Sequence, residues 1–192
     1  MDGMKGEEAR KMDGIMGGCS GGDGLGGWIE GLGDGLAHRL GGNVVRAGLN
    51  SNHLLNPEIG RVAASQTLSR AVIDFTPEPY VIAQYVSVDI HGSDPQTMVQ
   101  LTEVMVEEVN TATMKQATGK GLFLTGRPSS QSSTFTDSGD MRLASRAVDG
   151  HLQYVNPHCS QTNVQESPWW MINLTAVHCI RKVAIRNIDD LH

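Results

Sequence analysis

Long apolar runs are missing from this sequence. No stretch approaches the ~18 apolar residues that a membrane-spanning helix needs, so no membrane span is expected. Met1 to Gly42 has no apolar core of the kind a secretory leader carries. Basic clusters are missing too. Lys and Arg number 15 against 21 Asp and Glu, for a formal net charge of −6, and the bases are scattered apart from pairs such as Arg181-Lys182. Nucleic-acid affinity rests on clustered Lys and Arg, so nucleic acid is not an expected partner. Cysteines are only three, Cys19, Cys159 and Cys179, an odd set that cannot all pair within one chain. Aromatics make up 5% of the chain while glycines number 23, a balance that favours a β-rich, loop-rich fold over a helical bundle.

Nucleotide loops are also lacking. Gly22-Asp23-Gly24-Leu25-Gly26-Gly27 matches GxGxxG in letters only, because that motif needs a strand before it and a helix after it. It sits instead in a tract of Gly, Asp, Met and Glu over residues 1–27, which is expected to be disordered for want of apolar surface to bury. Gly119-Lys120-Gly121 is no phosphate loop either, since the upstream glycine position holds Met114. No nucleophile–base pair or spaced carboxylate pair stands out, so the chain is not expected to be an enzyme.

What is present, from Asn43 onward, is a series of short apolar runs broken by turn residues. Val44 to Gly48 reads as a strand closed by Asn50-Ser51-Asn52 and Asn56-Pro57, and Ser69 to Phe75 as a second. In Val81 to Ile90, Val86, Val88 and Ile90 face one way and Ser87 and Asp89 the other, the period of a half-buried strand. Met98 to Val109 is ambiguous: Met98, Leu101, Met105 and Val109 fit a helical stripe, while Leu101 to Val106 also fits a strand. Glu107 to Lys120 is polar and reads as a linker, and Gly121 to Leu124 as an edge strand. Trp170, Ile172 and Leu174, then Val183 and Ile185, alternate as strands of a sandwich or jelly roll. Trp169 and Trp170, at the start of a strand, are expected in the core, with a sugar-stacking platform as the alternative.

The segment Gly126 to Leu174, with its Ser-rich SQSST, its Ala144-Ser145-Arg146-Ala147-Val148-Asp149-Gly150 and its Pro168-Trp169-Trp170, resembles the first half of a fucolectin (F-type lectin) domain. The stretch from Trp28 to Asn110, with GLNSNHLLNP, QYVSVDI and QLTEVMV, resembles the second half of the same family. The resemblance implies a jelly-roll β-sandwich of the galactose-binding-domain type, and it makes Leu101 to Val106 the closing strand rather than part of a helix. It also implies a lectin, extracellular, that binds calcium and terminal fucose. Its boundaries are 28–110 for the family's C-terminal half and 117–192 for its N-terminal half. The halves stand in reversed order, as in a piece of two tandem modules or a circular permutant in which 28–192 forms one sandwich.

The family's sugar site is a His, an Arg-x-Asp and a further Arg or Lys, types that donate charge-assisted hydrogen bonds to ring oxygens. Aligned on Cys159 and Pro168-Trp169-Trp170, the His falls on Gln161 and the first Arg on Ile188, and only the Asp is kept, as Asp190. In the upstream copy Asp34 and Arg39 match, while Leu32 replaces the first Arg. A weakened sugar site of Arg39, Asp34, Gln161 and Asp190 is therefore expected, with fucosylated or other glycans as partners.

The resemblance carries calcium onto Asp149 and Glu103 as carboxylates, the carbonyls of Arg146 and His151, and the positions of His158 and Thr102. Calcium takes six to eight oxygens, which suits that set. The alternative role for the fold is a structural or protein-interaction module that keeps calcium and binds no sugar. A zinc set from His151, His158, Cys159, His178 and Cys179 lacks CxxC or HxxxH spacing. The family's second-half disulfide positions hold Ile59 and Thr76, and the usual partner position of Cys159 holds Thr102. Cys159 is therefore expected to be a free thiol unless Cys179 reaches it. Asn173-Leu174-Thr175 is a sequon, but it lies in an expected buried strand.

Overall fold

Runs rich in Val and Ile, closed by Asn, Gly and Pro, pair into strands because branched side chains pack well on a pleated surface and turn residues end each run. The computed structural model describes residues 41–63, 72–109, 119–152 and 159–186. The glycine-rich segment 1–27, the sugar-loop residues Asp34, Arg39 and Asp190, and the metal-loop residue His158 lie outside the described residues. Among the described residues the chain is all-β. Its strands pair antiparallel, and its helical content is two short 3-10 turns, His53–Leu55 and Ala144–Val148.

In chain order the strands are β1 (Val44–Gly48), β2 (Glu58–Arg61), β3 (Val72–Phe75), β4 (Val81–Asp89), β5 (Gln100–Leu101) and β6 (Glu103–Val109). They continue as β7 (Gly119–Gly121), β8 (Ser129–Gln131), β9 (Thr136–Asp137), β10 (Asp140–Met141), β11 (Ser160–Gln161) and β12 (Trp169–Arg186). The main sheet runs β2-β1-β4-β12-β6-β7, with β3 and β8 also paired to β12. Strands of the stretch 28–110 and of the stretch 117–192 are thus hydrogen-bonded neighbours in one sheet.

β12 organises this arrangement by feeding two ladders. Its first part pairs with β4 from Trp169↔Asp89 to Asn173↔Tyr85, and with β8 from Trp170↔Gln131 to Ile172↔Ser129. The register then breaks between Asn173 and His178. There Thr175 adopts φ 62° and its N–H donates to the Asn173 side chain at 2.8 Å. Beyond the break, His178 to Ile180 resume pairing with β4, Ile180 to Arg186 pairs with β6, and Val183 to Arg186 also with β3. Such an irregularity bends a strand and lets one element serve two ladders. The sequon asparagine, Asn173, is half-buried at this bend and also accepts from Gln84 at 3.3 Å.

One buried cluster draws on both ladders: Val45, Val86, Val88, Trp170 and Ile172 from one, Ile73, Phe75, Val104, Val106, Val183 and Ile185 from the other. The two approach so closely that a Cβ on Gly60 of β2 would strike the ring of Phe75 of β3. This is consistent with a β-sandwich.

Met98 to Val109 contains strands, as the family's closing strand implied and against the helical stripe: Val104 and Val106 are buried on a two-residue period. Other expectations change in detail. The expected linker Glu107 to Lys120 has its ends in a hairpin, with Glu107↔Gly121 and Val109↔Gly119 paired. The edge strand begins two residues earlier than expected, at Gly119. β4 is not half-buried over its last part, since Ser87 and Asp89 are as inaccessible as Val86 and Val88. A central strand has neighbours over both faces, and the alternation of side chains cannot report that. Cys159, expected to be free, is disulfide-bonded, and Cys179 is the free thiol. Pairing follows spatial approach of the two Cβ atoms rather than aligned position.

Candidate functional site

The Ala144–Val148 turn, which leads into the Asp149–Gly150 loop, is held by its neighbours. Trp170 donates from its indole nitrogen to the Ala144 carbonyl at 2.9 Å, and the turn packs against β6, β8 and β11. Asp149 caps the turn, and its Oδ1 accepts from the His151 N–H at 2.8 Å and lies 3.1 Å from His151 Nδ1. Arg146 is clamped by Asp140 at 2.6 and 3.0 Å, so its guanidinium is committed. What Arg146 can offer a cation is its carbonyl.

Glu103 opens β6, opposite Arg186 of β12, and is 5% exposed. Its carboxylate accepts a hydrogen bond from the Gly150 N–H and feels the Asp149 charge, so the residues expected to carry the metal's countercharge are brought together. Burial, reinforced by Asp149, pushes Glu103 up to about 7, against the opposite pull of Gly150 and Arg186. Two oxygens here are buried without a hydrogen-bond partner, Glu103 Oε2 and Thr102 Oγ1. A buried carboxylate oxygen facing a like charge and lacking a donor is costly unless a cation completes it. The donor set is all oxygen, as a hard cation requires, and the two acids balance a divalent charge. The calcium implied by the resemblance would be held by Asp149, Glu103 and Thr102, with the carbonyls of Arg146 and His151 as the expected further ligands, and would supply structural charge neutralisation.

Gly150 takes φ 82° to aim its N–H at Glu103. A Cβ there would meet only Thr125 Oγ1 at 4.0 Å, so the obstacle to substitution is backbone conformation and not space. Gly150→Ala should lower stability by ~1–2 kcal/mol, or about 3–6 °C in a thermal melt. An unchanged melt would show that the turn does not need its left-handed residue.

Of the expected sugar residues, Gln161 is described, and it is 2% exposed. Its side chain accepts from Gln100 Nε2 at 3.2 Å and donates to Met98 Sδ at 3.6 Å, inside the molecule. Among the described residues no three of His, Cys, Asp and Glu gather for a metal, so His151, Cys159, His178 and Cys179 form no zinc set. His178 instead pairs with Glu108 at 2.7 Å.

A second polar site escaped the sequence reading. Asp89, at the end of β4, is 2% exposed and bonded to Arg46 Nε at 3.0 Å, with His53 and Trp169 beside it across a small hollow. The signal was the alternation itself, which sets neighbouring residues on opposite faces of a strand. It puts Trp170 in the core at 0% exposure and leaves Trp169 half-buried against His53.

Compared with protein-family models, curated proteins and solved structures, the chain matches none.

Proposed function

We propose that this chain is a calcium-binding, carbohydrate-binding module of the fucolectin type whose fucose loop is degraded. The observation that carries the reading is the meeting of Glu103 with the Asp149–Gly150 loop around two buried oxygens that lack partners. The residues meet across the junction of the two stretches that resemble opposite halves of the family, which supports a permuted single sandwich. A jelly roll of the galactose-binding-domain type is supported by β12, which serves both ladders as a crossing strand does. An extracellular setting, implied by the resemblance, agrees with the disulfide at Cys159.

A thermal melt with and without calcium tests the metal. The wild type should gain several degrees and Asp149→Ala should gain nothing, because a ligand that binds only the folded loop stabilises by mass action. An unchanged wild-type melt refutes the site.

Loss of two charge-assisted hydrogen bonds at ~1.5–3 kcal/mol each leaves little fucose affinity. Calorimetric titration of L-fucose should show no submillimolar binding. Tight binding that depends on Arg39 would show the loop to be intact.

A second reading, a structural or protein-interaction module with calcium but no sugar at this loop, is favoured by the burial of Gln161. A glycan array separates the two.

A further inference from the structure

The loop between β1 and β2 is rigid for its length. Asn52 caps the His53–Leu55 turn by accepting from the Leu54 N–H at 3.2 Å. Asn56 bridges the Asn50 backbone, accepting from its N–H at 2.9 Å and donating to its carbonyl at 2.8 Å. The Asn56 side chain lies where a Cβ on Gly48 would be, so Gly48 is what lets the loop fold back on β1. This presents the His53 ring to Trp169, with centroids 5.2 Å apart and planes inclined by 32°. The two rings, with Asp89, His91 and Ser167, line a cavity of about 240 Å³.

The chemistry of that cavity is specific. Asp89 Oδ1 is taken by Arg46, but Oδ2 is buried and has no hydrogen-bond partner. A carboxylate oxygen accepts only, so the missing group is a donor. The Arg46 guanidinium cancels the Asp89 charge, and burial lowers the proton affinity of His53, so the wall carries no net charge to attract an ion. Trp169 adds a flat apolar face that is only partly covered. At ~30 Å³ per water the cavity holds the equivalent of about eight waters, enough for one ring and no more.

We infer that the hollow between His53, Asp89 and Trp169 binds a single uncharged polyhydroxylated ring of the pyranose kind. One hydroxyl donates to Asp89 Oδ2 and the C–H face of the ring lies on Trp169. The inference deepens the carbohydrate-binding reading and rests on it for ligand class, but it uses no residue of the sugar loop at Gln161.

The test is NMR titration of the full chain with methyl β-galactopyranoside, methyl α-mannopyranoside and, as a cationic control, choline. At least one pyranoside should shift the Trp169 indole and the His53 ring with a Kd in the millimolar range, the affinity expected of a small ligand making few contacts. Choline should not compete. Trp169→Ala should abolish the shifts, and His53→Ala should weaken binding about tenfold while the melt shows both variants folded. Absence of shifts at Trp169 and His53 for both pyranosides overturns the inference, and tighter binding of choline overturns the ligand class. Either failure leaves the calcium response unaffected, and loss of that response leaves the cavity titration standing, so the two readings fail separately.

Discussion

In chelator, the protein should lose stability as pH rises from about 4.5 to above 7, and Glu103→Gln should remove that loss. Glu103 is held up to about 7 in the fold from an ordinary value of 4.5. Between those values the folded chain binds the proton that the unfolded chain has released, so stability is greatest below the lower value and falls through the higher one. A shift of this size is worth roughly 2–3 kcal/mol once solvent screening is allowed for. Asp89, also raised by burial, adds in the same sense, while Glu108, lowered chiefly by its bond to His178, and His53, lowered by burial, act oppositely. The informative quantity is therefore the difference between wild type and Glu103→Gln, measured by denaturant unfolding at several pH values in chelator. A difference that stays flat with pH would sink the idea. Calcium at ~100 times its Kd should restore about 2.7 kcal/mol to the wild type at the alkaline end and nothing to the variant.

Trp170→Ala should be the most damaging single change in the sheet. The indole is 0% exposed, packs in the cluster shared by both ladders, and donates to the Ala144 carbonyl that anchors the metal loop. Truncating a buried Trp costs ~3–5 kcal/mol, and the orphaned carbonyl adds to it. The melt should fall by about 10–15 °C. Trp169→Ala, one residue away on the opposite face, should cost under about 2 kcal/mol because its ring is already partly in water. Equal losses at the two positions would contradict the alternation. A Trp170→Phe variant separates the contributions, keeping most of the apolar contact while deleting the hydrogen bond.

The proposed metal loop was legible in part. Asp149-Gly150 is turn chemistry that any reader of the chain can see, and the resemblance pointed to Glu103 as its partner. The burial that raises Glu103 was not legible, because it depends on Arg186 of β12 pairing opposite it. Gln161 shows the reverse. Its alignment with the His of the family's sugar site suggested a ligand contact, yet Gln100 and Met98 draw it inside. The Asp89 cavity was hidden for a similar reason: Asp89, Arg46, His53 and Trp169 come from separate parts of the chain, and no local pattern joins them.

By itself the sequence determined the β-rich character and the middles of several strands, such as Val44–Gly48 and Val81–Asp89, but not all of their ends. That character and those middles depend on two-residue alternation, branched side chains and turn residues acting over a few neighbouring positions. Periodicity did not decide Met98 to Val109, where a helical stripe competed with the strand that the resemblance implied, because period alone does not say which neighbours will bury a face. Only the tertiary structure decided that β12 breaks register with β4 around Thr175 and goes on to pair with β6, that Cys159 is bonded, and that Asp89 and Glu103 keep buried oxygens without donors. Each of those outcomes is a contact between residues far apart in the chain. Burial and electrostatics are set by such contacts, whereas propensity is set by the residues next door.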